Sequence, residues 1–372
     1  MTIGLLKEPG FETRVSLLAE AVATLTKKGI AVQIESGAGE KAFCSDELYR
    51  QTGATLTDRQ SVLTSSDIIL GIHPLSSSDI RVKPSGVFIG VYQPLFNASL
   101  MKEWSALGST VFSLDMLPRT TRAQAMDVLS SQANIAGYKA VLLASNIYPR
   151  YFPMFMTAAG TITPAKVLIL GAGVAGLQAI ATAKRLGSVV EVFDTRPAVK
   201  EEVMSLGAKF IEVEGAADAS KAGGYAVEQS EEFLQRQKAR IAESIAKADI
   251  VITTAQIPGR KAPILITEEM ISAMRNGSVI IDLAAATGGN TPVTKNNETI
   301  QYKGVSIVGN SNLQATAPSD ASKVYGKNVL NFLQLIIDKE GKLNLNWEDD
   351  LVKGSCIMHG GELVNERVKA MG

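Results

Sequence analysis

At 372 residues the chain exceeds the size at which one hydrophobic core keeps growing, so two domains are expected, and 46% apolar residues suffice for two cores. Lysine plus arginine and aspartate plus glutamate balance at 37 each, which excludes a global field for nucleic acid or an anionic membrane and leaves only local patches for charged partners. Two cysteines, Cys44 and Cys356, stand far apart with no CxxC or Cys/His cluster, which argues against a disulfide framework and a structural zinc site, and no metal site is expected.

The opening stretch MTIGLLKEPGFETR closes a short apolar run with Lys7 and Glu8, unlike a secretory signal. No apolar run reaches the roughly 18 residues of a membrane helix. A cytosolic chain is therefore expected, without direct membrane insertion, meeting a membrane only by docking onto another protein. Short apolar runs at 2–6, 31–36, 66–74, 86–93 and 109–115 alternate with helical patterns, beginning with 15–29. That alternation predicts βαβ units and a parallel sheet.

From about residue 123 to 146 small and apolar residues recur at helical spacing, which predicts a helix bridging two domains. A proline- and aromatic-rich connector, YPRYFPMFMTAAGTITP, leads to a second strand series at 166–170, 189–194, 209–214, 249–255, 278–284 and 305–309. Such a series suits a doubly wound sheet. The stretch 215–230, GAADASKAGGYAVEQS, is small and polar and reads as mobile. A last helical stretch, 319–341, is expected to return to the first domain, with a short tail after it. The expected class is α/β, with two Rossmann-like doubly wound parallel-sheet domains joined by long helices. The expected division is 1–126 plus 319–372, a discontinuous flavodoxin/Rossmann-like domain, and 127–318, which includes the linking helix.

The run Lys166–Leu170 is followed at once by Gly171-Ala-Gly173-Val-Ala-Gly176 and then by LQAIATAKRLG. A lone GxGxxG means little, but strand, glycines and helix in this order form a dinucleotide fingerprint. Gly171 allows the tight turn, Gly173 lets backbone approach a pyrophosphate, and Gly176 lets helix and strand pack closely, with the helix N-terminus facing the phosphates. The next strand ends at Asp194, whose carboxylate can accept from ribose hydroxyls. Against the extra phosphate of NADP it would repel by roughly 1 to 4 kcal/mol, or about 10- to 1,000-fold. Arg196 pulls the other way, since an arginine there can take a phosphate. The alternatives are glycines that serve packing alone and an Asp194 that is a solvated strand end.

With these residues placed, the chain resembles the NAD(H)-binding component, domain I, of proton-translocating nicotinamide nucleotide transhydrogenase over essentially its whole length. The likeness rests on GLLKEPGFETRV, on PRTTRAQAMDVLSSQANIAGYKA (118–140), on GAGVAGLQAIATAKRLG with FDTRP, on TTAQIPGRKAPILIT (253–267) and on VIIDLAAATGGN (279–290). It implies that Arg119, Gln124 and Asp127 hold the nicotinamide end and act as the catalytic set. Gln124 and Asp127, three apart, are expected on one helical face, with Arg119 in the turn before and Ser130 adding a hydroxyl. It further implies that Gly224 and Tyr225 belong to a mobile loop that closes over nucleotide. Val174, Thr195, Arg196, Ala255 and Gln256 complete the expected cofactor-binding set with Gly171, Gly173, Gly176 and Asp194.

Alanine dehydrogenase resembles the chain over both domains as well. That chemistry needs a proton-moving residue and a cation for the substrate carboxylate. The family's histidine, aspartate and lysine fall here at Gln93, Ala286 and Gly71, and Arg14 alone is retained. Hydride exchange between two nicotinamides needs positioning and no acid or base. His73 and His359 are read as structural. The resemblance implies an NAD(P)+ transhydrogenase subunit that binds NAD(H) and passes hydride to NADP+ held on a partner. Implied partners are a membrane-embedded subunit and an NADP(H)-binding subunit, with a homodimer of this chain, cytoplasmic and peripherally attached to the inner membrane. An alanine dehydrogenase-like oxidoreductase and a non-catalytic NAD-binding regulator are the alternatives.

Overall fold

Runs such as Ile68–Leu70, Val87–Gly90 and Thr110–Ser113 are buried at every position, the signature of parallel strands covered on both faces. They belong to a computed structural model that describes residues 1–76, 78–79, 86–213, 215 and 230–371. Two units are found, Met1–Gln132 with Ala315–Gly372, and Ala133–Gln314. The divisions thus fall inside the helix Val128–Ile147 and before the helix Pro318–Ile336, instead of at 126/127 and 318/319.

The first unit contributes β1 (Thr2–Leu5), β2 (Ala31–Glu35), β3 (Thr55–Thr57), β4 (Ile68–Leu70), β5 (Val87–Gly90) and β6 (Thr110–Ser113). The second contributes β7 (Phe155–Thr157), β8 (Gly160–Ile162), β9 (Lys166–Leu170), β10 (Val189–Phe193), β11 (Lys209–Phe210), β12 (Ile250–Thr253), β13 (Val279–Asp282), β14 (Thr299–Tyr302) and β15 (Val305–Val308). Returning to the first unit, the chain adds β16 (Cys356–His359) and β17 (Glu362–Leu363). The two sheets run β17-β16-β6-β5-β4-β1-β2-β3 and β11-β10-β9-β12-β13-β15-β14. β16, β17 and β14 pair antiparallel, and all the other ladders of these two sheets are parallel.

Side-chain alternation splits each sheet between two cores. In the first, Ile3, Leu5, Val32 and Ile34 pack with Tyr325, Val329 and Phe332 of the helix Pro318–Ile336, while Ile69, Phe88 and Val111 pack with Met101 and Trp104. In the second, Val167, Ile169, Val190 and Val192 meet Ala179, Ile180 and Ala183, and Leu168, Leu170, Val251 and Ile280 meet Phe233, Ile241 and Ile245. Each fully buried Val, Ile, Leu or Phe contributes roughly 1.5–3 kcal/mol, which outweighs weak local propensities.

Several expectations need correction. The helix expected over 15–29 begins only at Ala19, because Leu18 is extended at ψ 166° and the Val15 N–H donates to Ser322 Oγ at 2.9 Å. The stretch expected as one helix from 123 is a 3-10 turn, Thr121–Met126, then Asp127 at ψ 89°, then the helix Val128–Ile147. The strand expected at 209–214 covers two residues, the connector contains the β7–β8 hairpin, and the tail supplies β16 and β17.

Candidate functional site

In the second sheet β9 lies between β10 and β12, so the crevice at its carboxyl end is where the strand order reverses. The turn leaving β9 is tight. Gly171 has φ 108°, its N–H donates to Phe193 O at 2.8 Å, and a Cβ there would stand 2.3 Å from Thr254 Oγ1. A Cβ on Gly176 would fall 1.9 Å from Gly171 O, so any side chain would push the helix Val174–Arg185 off the strand. Around Gly173 the opposite holds, with nothing within 4 Å of a Cβ position. Gly173 caps that helix without a side-chain acceptor. First-turn N–H groups beside open space form a seat for an anion, which fits a diphosphate.

At the end of β10, Asp194 ties the turn together. Its Oδ2 accepts from Ala172 N–H at 2.7 Å and Arg196 Nη2 at 2.7 Å, and its Oδ1 accepts from Arg196 N–H and Nε, both at 2.8 Å. The carboxylate raises the Arg196 pKa further above its ordinary value. Beyond it opens a cavity of about 240 Å3 walled by Asp194, Thr195, Lys200, Phe210, Val213 and Phe233. Lys200 is paired with Glu212. Thr195 thus joins the wall, and Val174 starts the helix with 39% of its surface exposed.

Ala255 and Gln256 follow β12, the strand next to β9. Asn290 clamps Ala255 from both sides, accepting its N–H at 3.2 Å and donating Nδ2 to its carbonyl at 2.9 Å, while Gln256 Nε2 donates to Leu283 O at 2.9 Å. Asn290 is held in turn by Asp282, whose carboxylate also accepts from Thr253, Ala284 N–H and Thr294. Sequence reading missed Asp282 and Asn290. Their signal was two polar residues bracketing a small-residue run in DLAAATGGN, next to an apolar strand.

The nicotinamide-end candidates Arg119, Gln124, Asp127 and Ser130 all fall in the first unit. Arg119 and Gln124 are exposed. Gln124 and Asp127 do not share an α-helical face, because Gln124 sits in the 3-10 turn and Asp127 at the break after it. There the Asp127 carboxylate accepts from Ser130 N–H at 2.9 Å and Ser130 Oγ at 2.6 Å, capping the helix that follows. Asn328 and Asn331, on the helix Pro318–Ile336, each donate to Ala125 O at 2.8 Å. Gly224 and Tyr225 lie outside the described residues.

Behind this segment runs a buried polar chain. Gln132 accepts from Arg14 Nη1 at 2.8 Å, Glu12 takes Arg14 Nε and Nη2, and His73 Nε2 meets Glu12 at 2.8 Å. Arg14 and His73 hold the Glu12 carboxyl well below its usual pKa despite burial. Close by, burial raises Glu8 to about 7 against the N–H bonds it accepts from Ile72 and His73. Glu8 and His73 wall a cavity of about 320 Å3 after β1 and β4.

Residues 4–136 match the Alanine dehydrogenase/PNT, N-terminal domain, and residues 140–366 match the Alanine dehydrogenase/PNT, C-terminal domain. The chain belongs to the alanine dehydrogenase/PNT family. It is 42% identical over 384 residues to an NAD(P) transhydrogenase subunit alpha chain of Rhodospirillum rubrum, covering 100% of each chain. The crystal structure of a transhydrogenase from Sinorhizobium meliloti superposes with a TM-score of 0.89 at 43% identity, covering 98% of this chain and 100% of that one. Alanine dehydrogenase of Staphylococcus epidermidis is 25% identical over 348 residues, covering 91% of this chain and 88% of that one.

Within the alanine dehydrogenase/PNT family the chain stands nearer the transhydrogenase branch. Three of the positions read as the deaminating set carry Gln93, Ala286 and Gly71, with no ionisable side chain among them. The retained Arg14 is already engaged through all three guanidinium nitrogens by Glu12 and Gln132. Gln93 holds a left-handed backbone, φ 49°.

Proposed function

We propose that this chain is the NAD(H)-binding alpha-type subunit of a proton-translocating NAD(P) transhydrogenase. The reading is carried by full-length likeness to a transhydrogenase alpha chain, joined to a glycine turn whose open side at Gly173 can take a diphosphate. Gly171, Gly173, Val174 and Gly176 would seat the diphosphate, and Asp194, Thr195 and Arg196 the adenosine ribose. Ala255 and Gln256, pinned by Asn290 and Leu283 O, would line the path towards the nicotinamide. Arg119, Gln124, Asp127 and Ser130 would orient the nicotinamide and its ribose, with Gly224 and Tyr225 closing over the nucleotide.

Bound NADH supplies the hydride, from C4 of its nicotinamide. The side chains then have only to fix the ring and exclude water, since substrate gains and loses no proton on this chain. NADP+ is held on a partner subunit, and proton movement belongs to a membrane-embedded partner. Among the described residues no helix is long and apolar enough to cross a membrane, which suits a cytoplasmic chain attached to the inner membrane through partners. A homodimer is supported by the β7–β8 hairpin, where Phe155 and Met156 are 42% and 69% exposed.

The test is to mix the purified chain with a purified NADP(H)-binding subunit and follow hydride from NADH to an NADP+ analogue. Transfer supports the proposal. NAD+-dependent deamination of alanine by the chain alone would replace it with the dehydrogenase reading, and NADH binding without either reaction would favour a regulator.

A further inference from the structure

Asp194 does not face the ribose side as a bare carboxylate. Both its oxygens are bridged by the fork of Arg196, Nε to Oδ1 and Nη2 to Oδ2, and the two side chains are 6% and 18% exposed. Such a pair is close to neutral, so simple repulsion explains less of any bias against a 2′-phosphorylated nucleotide than the sequence suggests. An arginine fork fits a phosphate as well as it fits a carboxylate. Asp194 lines the adjoining cavity together with Lys200, a cation likewise held by a carboxylate, Glu212.

We propose that Arg196 is a specificity-determining residue, a latent 2′-phosphate acceptor, and that Asp194 sets coenzyme choice largely by occupying its guanidinium. The idea rests on the reading that residues 171–196 hold the adenosine half of a dinucleotide. When the carboxylate is removed, the guanidinium stays two residues from the strand end and its Nε and Nη2 lose the acceptor that bridges them. A single substitution should then turn discrimination around, where a site without a resident arginine would need two.

Binding is measured on the whole purified chain, with NADH and NADPH titrated separately by the fluorescence of the reduced nicotinamide and with thermal melts as a fold check. Asp194→Ala should weaken NADH by about tenfold or more and tighten NADPH by about tenfold or more, and Asp194→Ala with Arg196→Gln should lose the NADPH gain. Arg196→Gln alone keeps the Ala172 N–H bond to Asp194 and exposes the lone carboxylate. It should shift the NADPH to NADH ratio by about threefold or more further against NADPH. If Asp194→Ala weakens NADH but NADPH fails to tighten, or tightens equally in the double variant, the role of Arg196 is overturned while the nucleotide site stands. If Asp194→Ala leaves both affinities unchanged, the adenosine placement itself fails. Should Asp194→Ala not fold, a ratio that Arg196→Gln leaves unmoved, or moves toward NADPH, overturns the proposal.

Discussion

Single residues here carry competing demands. Glu8 illustrates this: burial raises it to about 7 in the folded chain, whereas it titrates near 4.5 when unfolded. The folded state therefore holds the Glu8 proton more tightly, so its contribution to stability is complete below about pH 4.5 and is lost as pH rises through 7. Glu8→Gln, which stays neutral, should gain about 1–3 kcal/mol relative to the parent between pH 5 and pH 8. Urea unfolding at the two pH values checks this, and an equal difference at both would mean the carboxyl is ionised throughout. Arg119 poses the functional counterpart. Exposed and in the turn before the 3-10 segment, it should slow hydride transfer when changed to Ala while NADH affinity stays within about tenfold, because the adenosine half keeps its contacts. Stopped-flow transfer rates beside NADH titrations separate these effects, and unchanged transfer removes Arg119 from the site.

At the scale of elements, the break between the 3-10 turn and the helix Val128–Ile147 puts Asp127 at the start of that helix. Its carboxylate caps the helix through Ser130. Asparagine caps nearly as well as aspartate, so Asp127→Asn should stay within a few tenths of a kcal/mol in stability, whereas Asp127→Ala should lose about 1 kcal/mol. If the residue also contacts nucleotide, Asp127→Asn should still weaken NADH or slow transfer. A full loss of function in the alanine variant alone would reduce Asp127 to a cap. Both sheets repeat one device. Glu35 ends β2 and accepts Lys7 N–H at 2.8 Å and Arg59 Nη1 at 2.7 Å, much as Asp194 follows β10 and takes Ala172 N–H and Arg196. A carboxylate at the second strand steadies the turn after the first, and only the glycine spacing marks the second unit as the one open to a diphosphate.

At the scale of the whole molecule, the hairpin Phe155–Thr157 with Gly160–Ile162 leaves Met154, Phe155, Met156 and Tyr151 exposed, with Met154 and Met156 at 62% and 69%. Apolar side chains on an uncovered strand edge favour pairing with another chain. If the chain forms a homodimer through this hairpin, Met156→Asp should shift it from dimer to monomer in sedimentation while leaving the monomer folded. A parent chain that sediments as a monomer would end the homodimer reading, and a Met156→Asp chain that stays dimeric would move the contact elsewhere.

The strand series was legible because parallel strands buried on both faces are continuous apolar runs, and Lys166–Leu170 was placed to the residue. Short or half-exposed strands were not: β3, β14 and β17 owe their existence to neighbours that supply their hydrogen bonds. The glycine turn and Asp194 could be found from spacing, since φ above zero and close approach leave glycine as the residue that fits. By itself the sequence determined an α/β chain with one dinucleotide fingerprint and, at the positions read as the deaminating set, Arg14 without the histidine, aspartate and lysine. Tertiary structure alone decided that Arg196 lies across Asp194, that Asn290 and Asp282 hold the loop at Ala255, and that Gln132 rests on Arg14. The reason is physical: such polar bonds join residues up to 118 positions apart, their geometry depends on packing, and no local pattern in the chain encodes a distance.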